Sequence, residues 1–295
     1  MLSRKSLKCP HIFLAAIDTY QVMKEMSEDK ESIGIIAGGG QFPMMVAEAA
    51  RKKDLRVVAV AHIGETDQSL SALVDEIVWI KLGQMGQLIK VFRKNSVKNV
   101  LMAGSINKSR MFDNIRPDLK GLTLISKLAV FHDDDILGAF AKALAKEGIE
   151  VVSSTTHLPE LLSQSGCFTR RKPSKAEKED IDFGWHVAKE LGRLDIGQCV
   201  VVKKKTVLAL EAIDGTNETI LRGGRIAKEK AVVVKVSKPQ QDLRFDVPSV
   251  GFETVKVMSE VKASVLAIEA EKTLMFDSQE MTDYANQCGI AIIAI

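Results

Sequence analysis

The sequence predicts an α/β protein made of two domains, on three observations. Short apolar runs alternate with segments of helical period from Ser32 onward, which is the strand-helix-strand order of a parallel sheet covered on both faces. A polar, proline-containing stretch after Leu162 interrupts this alternation, and a second set of apolar runs follows it. At 295 residues and 46% hydrophobic content, the chain is long enough for two ordinary cores.

Taken in order, residues 33–37 read as a strand, 43–53 as a helix and 55–61 as a second strand. Strands at 77–82, 97–103 and 149–153 follow, with helices at 85–94 and 135–146 between them. Ser163-Gln164-Ser165-Gly166, with Thr169 to Lys175 after it, reads as the interdomain linker. A helix carrying Ile181, Val187, Ala188 and Leu191 then leads to paired strands at 199–202 and 207–212, so the second domain is also α/β. The Lys203-Lys204-Lys205 run between those strands reads as a solvated hairpin tip. Asp277-Ser278-Gln279-Glu280 has capping-box spacing, Gly289 suits the end of that helix, and 290–295 close the chain as a buried strand.

Composition excludes several classes of function. Lys plus Arg number 41 against 38 Asp plus Glu, and the net charge of +3 is spread along the chain, so no nucleic-acid partner is expected. The four cysteines are far apart, without Cys-x-x-Cys pairs, which fits a reducing cytoplasm. Residues 12–17 are apolar and follow basic residues, but Asp18 cuts them short of an export signal, and residues 1–31 read as an appended segment. No run approaches the roughly 18 to 20 apolar residues that span a bilayer, so lipid contact is expected to be peripheral.

Several segments carry chemistry. Gly38-Gly39-Gly40-Gln41-Phe42-Pro43 lies between a strand and a helix, where backbone amides can cradle a phosphate or a uracil carbonyl; a tight turn alone is the plainer reading. Pro43 stands where a dinucleotide fingerprint needs its third glycine, and Ala61-His62 stands where it needs an acid, which opposes a nicotinamide cofactor. Asp133-Asp134-Asp135 opens a helical pattern, either as caps or as ligands of a cation or of substrate hydroxyl groups. Glu211 to Asn217 ends a strand at a glycine and gathers the oxygen-bearing side chains that a hard cation such as Mg²⁺ prefers. Lys238 to Pro248 packs cations, amides and carboxylates together: Lys238 and Arg244 suit phosphate oxygens, and Asp242 and Asp246 suit a metal or a water. The plainer reading of that segment is a buried polar network that fixes a loop. His62, His157 and His186 are isolated, and no nucleophile elbow, zinc-protease or P-loop motif is present.

At these residues the sequence resembles the LpxI family of UDP-2,3-diacylglucosamine pyrophosphatases. Lys238-Pro239-Gln240-Gln241-Asp242-Leu243-Arg244-Phe245-Asp246, followed by Val247-Pro248-Ser249-Val250-Gly251, matches its most distinctive stretch. The likeness extends to Gly38 through Pro43, Ala103-Gly104, Asp133-Asp134 and Leu194-Asp195-Ile196-Gly197-Gln198, and so covers about residues 32 to 295. The resemblance implies a Rossmann-like nucleotide-binding domain at 32–165, a linker at 166–178 and a family-specific catalytic domain at 179–295. It also implies a homodimer, with Mg²⁺-dependent release of UMP and diacylglucosamine 1-phosphate at the cytoplasmic face of an inner membrane.

In the scheme that follows, the uridine nucleotide sits on Gly38 to Pro43, with Asp133, Asp134 and Gln240 as further substrate contacts. Asp214, Asn217 and Asp242 bind the cation or position water, Lys238, Gln241 and Arg244 stabilise phosphate charge, and Thr216 and Asp246 complete the catalytic set. One position departs from the family pattern: its Glu-Gly-Thr-Asp stands here as Asp214-Gly215-Thr216-Asn217. An amide offers a neutral oxygen but neither negative charge nor a base. The substitution leaves three alternatives: a weakened enzyme, an enzyme with shifted ligands in which Asp214 or Glu218 compensates, and a homologue that binds without cleaving.

Overall fold

The computed structural model describes residues 30–106, 116–125 and 133–295. The first unit forms around β1 (Ser32–Ala37), which pairs in parallel with β2 (Arg56–His62) on one side and β4 (Asn99–Ala103) on the other. Beyond these lie β3 (Glu76–Ile80) and β5 (Glu150–Val152), giving the all-parallel order β3-β2-β1-β4-β5. This is the doubly wound, Rossmann-like order, and its winding reverses between β1 and β4, where such sheets bind ligands.

Every residue of β2 after Arg56 is buried, because helices cover both faces. Helix α1 (Phe42–Lys52) lays Val46, Ala47 and Ala50 on one face, against Ile35, Val57, Ala59 and Leu101. Helices α2 (Met85–Lys94) and α4 (Asp133–Ala145) cover the other face through Leu88, Phe92 and Leu144. The short helix α3 (Leu119–Ile125) packs beside α2.

The segment expected to be a linker is more ordered than its composition suggests. Gly166–Cys167 form β6, which pairs antiparallel with Ala294 and Ile293 of β13 (Ala291–Ala294), and helix α5 (Lys175–Arg193) begins two residues after Pro173. Its Ser174 hydroxyl accepts the Glu177 amide while the Glu177 carboxylate accepts the Ser174 amide, a capping box.

The second sheet has the order β6-β13-β11-β9-β7-β8, with β7 (Cys199–Lys203), β8 (Thr206–Leu210), β9 (Val232–Lys235) and β11 (Val265–Ile268), while β10 (Ser249–Val250) and β12 (Leu274–Met275) pair in parallel as a separate two-stranded sheet. Strands β9, β11 and β13 are parallel; β7 runs against both β8 and β9, so β8 shares their direction. Helix α6 (Gly215–Ala227), α7 (Phe252–Glu260) and α8 (Ser278–Cys288) enclose one core with Ile220, Met258 and Met281, and α5 encloses the other with Ile181 and Ala188. The lysine run is a hairpin tip, as expected. Lys204 and Lys205 adopt φ values of 52° and 55°, and the Asp180 carboxylate accepts both of their amides, at 2.9 and 2.6 Å.

The sequence reading needs one correction at α8. Asp277 caps nothing: it is left-handed at φ 49°, and its carboxylate instead accepts Nε2 of Gln41 from the first unit at 2.9 Å. The spacing fits a capping box, but a tertiary partner took the side chain. Gly289 does end α8 in the left-handed conformation, at φ 69°. Further apolar contacts join the units. Leu274 is buried in the core beneath α1, with Phe276 packed against the same cluster, and Phe245 packs against the core beneath α2.

Candidate active site

Strands β8, β9 and β11 end at the same edge of the second sheet, and β7 begins there. The polar residues singled out in the sequence therefore meet at the carboxyl ends of parallel strands, the usual ligand-binding edge of an α/β sheet. Four segments contribute: Asp195 to Gln198 before β7, Glu211 to Asn217 after β8, Ser237 to Asp246 after β9, and Glu269 after β11.

Glu211 is the brace of the first two segments. Its buried carboxylate accepts the Thr216 hydroxyl at 2.6 Å and the Gln198 amide at 3.0 Å, fixing the start of α6 to the start of β7. The two strand ends approach so closely that a Cβ on Gly197 would lie 2.3 Å from the Glu211 carbonyl oxygen; only glycine fits. Beside them the Gln198 side-chain oxygen is buried without a hydrogen-bond partner among the described residues. Asp214 stands at the mouth of this turn, accepting the Ala212 amide at 3.1 Å and Arg222 at 2.7 Å. Desolvation raises its pKa, but the Arg222 hydrogen bond and the Ala212 amide outweigh it, so the carboxyl titrates below its ordinary value. Asn217 is exposed in the first turn of α6.

The loop after β9 is held by its own polar side chains. Nζ of Lys238 pairs with Asp195, and both side chains are almost wholly buried, at 6% and 7% exposure. Asp195 is left-handed there, at φ 54°. The Gln241 side-chain oxygen accepts the Lys238 amide at 3.0 Å and the Ser237 hydroxyl at 3.1 Å, while its amide group donates to Asp246 at 2.6 Å. Gln240 donates to the Gly192 carbonyl at 2.8 Å. Lys238, Gln240, Gln241 and Asp246 thus tie the loop to its surroundings. Asp242 and Arg244 differ, forming a bidentate pair at the surface that holds the aspartate below its ordinary pKa.

Of the expected cation ligands, Asp214 and Asn217 share the turn after β8, whereas Asp242 lies on the loop after β9. Among the described residues no three acidic, histidine or cysteine side chains form a metal cluster. Asp242 is paired with Arg244, and Asp214 is likewise paired with Arg222.

Glu269 makes a testable electrostatic contribution. Burial raises its pKa, but Lys189, Lys272 and the Ser237 amide together outweigh this and hold it below the ordinary value of 4.5. A carboxyl depressed in the folded state stabilises the protein above its unfolded pKa, and that contribution disappears as pH falls through the folded value. Glu269→Gln is therefore expected to lower the unfolding midpoint at pH 7 and to flatten its decline below about pH 4.5. Melting curves across that range check this; a variant whose acid decline parallels the natural chain contradicts it.

At the first sheet the glycine turn sits at the β1 and β4 ends, but it is less open than expected. The Gly38 amide donates to Ala103 at 2.8 Å and the Gly39 amide to Ser105 at 2.7 Å, so neither is directed at a ligand. A Cβ on Gly38 would lie 2.5 Å from the Ser105 carbonyl oxygen, which accounts for that glycine by packing alone. The open part is Gly40, at φ 85°, and Gln41; Phe42, which begins α1, is buried in the core. Pro43 supplies no amide, Gln41 reaches Asp277, and the Phe42 ring meets Phe276 at 5.4 Å. His62 ends β2 beside this turn, its Nδ1 hydrogen-bonded to the Ala37 carbonyl and its pKa lowered by burial. Asp133 and Asp134 begin α4, and their side chains lie outside the described residues.

Sequence reasoning gave no role to Asp195, Gln198 or Glu269. The resemblance included the first two, but a pairing across 43 residues leaves no local signal.

Comparison with known proteins agrees with this layout. The LpxI N-terminal domain matches residues 32–161, and the LpxI C-terminal domain matches residues 164–293. A curated protein of Caulobacter vibrioides, UDP-2,3-diacylglucosamine pyrophosphatase LpxI, is 30% identical over 275 residues, covering 89% of this chain and 97% of that one. Likenesses to solved structures are remote. N5-carboxyaminoimidazole synthetase from Staphylococcus aureus is 16% identical with a TM-score of 0.28, covering 59% of this chain and 33% of that one. Biotin carboxylase from Campylobacter jejuni is 11% identical with a TM-score of 0.27, covering 68% of this chain and 43% of that one. This chain thus spans about a third of the first of those enzymes and under half of the second. The two domain matches and the near full-length relative make this chain a member of the LpxI family.

Proposed function

We propose that this chain hydrolyses the pyrophosphate of UDP-2,3-diacylglucosamine to UMP and 2,3-diacylglucosamine 1-phosphate, a step of lipid A biosynthesis. The observation that carries the proposal is similarity over 97% of a relative bearing that activity in its name. The unit at 32–165 binds the uridine nucleotide at Gly40, Gln41 and Phe42, joined by Asp133 and Asp134, and the unit at 179–295 carries the chemistry. The protein works as a homodimer in the cytoplasm, in peripheral contact with the inner membrane; no described helix is long and apolar enough to cross one.

In the reaction, a water oxygen forms a bond to one phosphorus, the bridging oxygen leaves with its electron pair, and the water proton passes to a base. The exposed Arg244 guanidinium faces phosphate charge, with Asp242 aligning it. Thr216 and Glu211 hold the start of α6, whose amides favour an anion. Lys238, Gln241 and Asp246 keep the loop in place, so their contribution is positional.

The donor set fits Mg²⁺ bound through few protein ligands, since that ion is usually held by one or two carboxylates together with substrate phosphates. Asp214, which Arg222 now pairs, and Asn217 would hold it, and Asp242 would join them on release from Arg244. When bound, the ion supplies charge neutralisation at the phosphates. UMP release from UDP-2,3-diacylglucosamine by the purified chain is expected to require Mg²⁺ and to stop with EDTA. No release from the natural chain or from Asn217→Asp would defeat the proposal. The second reading, binding without cleavage, rests on the amide at Asn217 and predicts release only after that substitution.

A further inference from the structure

We infer that the ledge formed by α2 and α3 docks on the surface of an anionic phospholipid bilayer. Leu119 and Leu122 are 85% and 55% exposed on α3, a high exposure for two neighbouring leucines on one small helix. They are turned outward for a steric reason: Gly121 faces inward, so close that a Cβ there would lie 2.0 Å from the Gly83 carbonyl oxygen. A shallow groove lined by Lys90, Arg93, Lys94 and Lys120 runs beside them.

The ledge is rigid, because the Asp118 carboxylate accepts the amides of Gly86, Gln87 and Gly121 and so ties α3 to the start of α2. Glu147 pairs with Arg93 and Lys120 and offsets part of their charge. Lys90 and Lys94 are exposed and, among the described residues, pair with no carboxylate. Exposed leucines beside unbalanced lysines match the two layers of a bilayer surface, acyl boundary and anionic headgroup. A soluble phosphate would account for the lysines but not for the leucines. This surface gives a place to the peripheral membrane contact of the proposed function and rests on that reading, but attachment requires no turnover, so the docking can fail while hydrolysis stands.

Vesicle sedimentation with the full chain tests the inference, using phosphatidylglycerol mixed with phosphatidylethanolamine and, separately, phosphatidylcholine alone. The chain is expected to sediment with the anionic vesicles, less so as salt rises, and to ignore the neutral ones. Lys90→Glu with Lys94→Glu, and separately Leu119→Ser with Leu122→Ser, are each expected to weaken attachment by at least about tenfold at unchanged melting temperature. The inference is overturned if the natural chain ignores anionic vesicles, if it binds neutral ones equally, or if either double variant binds as the natural chain does.

Discussion

Asn217→Asp is expected to raise the rate of UMP release by on the order of a hundredfold, the low end of what a positioned acid or base contributes. The reason is the place of the residue as much as its chemistry. Asn217 is exposed in the first turn of α6, on the same turn as Asp214. The turn is anchored from below, since Glu211 accepts both the Thr216 hydroxyl and the Gln198 amide. A carboxylate at Asn217 would therefore be held on a fixed support, and it would add the negative charge that an amide lacks toward a cation or toward the attacking water.

The substitution carries no stability penalty, because an acid in the first turn of a helix is favourable by about 0.3–1 kcal/mol. Any change in rate therefore reports chemistry. Single-turnover UMP release, compared between the two proteins at saturating Mg²⁺, measures it. Equal rates would mean that Asp214 already supplies what the reaction needs, and Asp214→Asn would then be the damaging change.

The fold was legible wherever burial imposes a pattern. β2 is apolar from Val57 to Ala61 because it is covered on both faces, and that pattern needs no knowledge of its neighbours. The hairpin at Lys204 and Lys205 was legible for the same local reason. Asp277 has the spacing of a capping box but serves Gln41, because both uses require the same residue and only the second depends on the other unit. The linker was misread in part: its polar composition is real, yet Gly166 and Cys167 add a strand to a sheet whose neighbouring strand, β13, lies more than a hundred residues later.

Legibility of the site divides along the same line. The sequence brought out the turn after β8 and the loop after β9, because dense polar residues after an apolar strand are a local signal. Which of them point outward was not legible. Lys238 and Arg244 look equivalent as phosphate ligands in the sequence, but one is buried against Asp195 and the other stands at the surface beside Asp242. Gly38 and Gly39 look like a phosphate cradle, but their amides belong to the β4 loop.

That difference between Lys238 and Arg244 sets the second large expected effect. Lys238→Met removes one half of the buried Lys238–Asp195 pair, and breaking a buried pair in this way costs about 3–5 kcal/mol. At about 2–4 °C per kcal/mol, the melting temperature should fall by on the order of 10 °C. Asp195→Asn breaks the same pair from the other side and should cost a similar amount. The double variant removes both charges, so its loss should be clearly smaller than the sum of the two single losses. Arg244→Ala removes an exposed cation, so it should leave melting within about 0.5 kcal/mol of the natural chain while depressing UMP release. The four proteins thus separate positioning from chemistry. If Lys238→Met instead melts like the natural chain and loses only UMP release, the buried pair opens during the reaction and Lys238 acts on the phosphates directly.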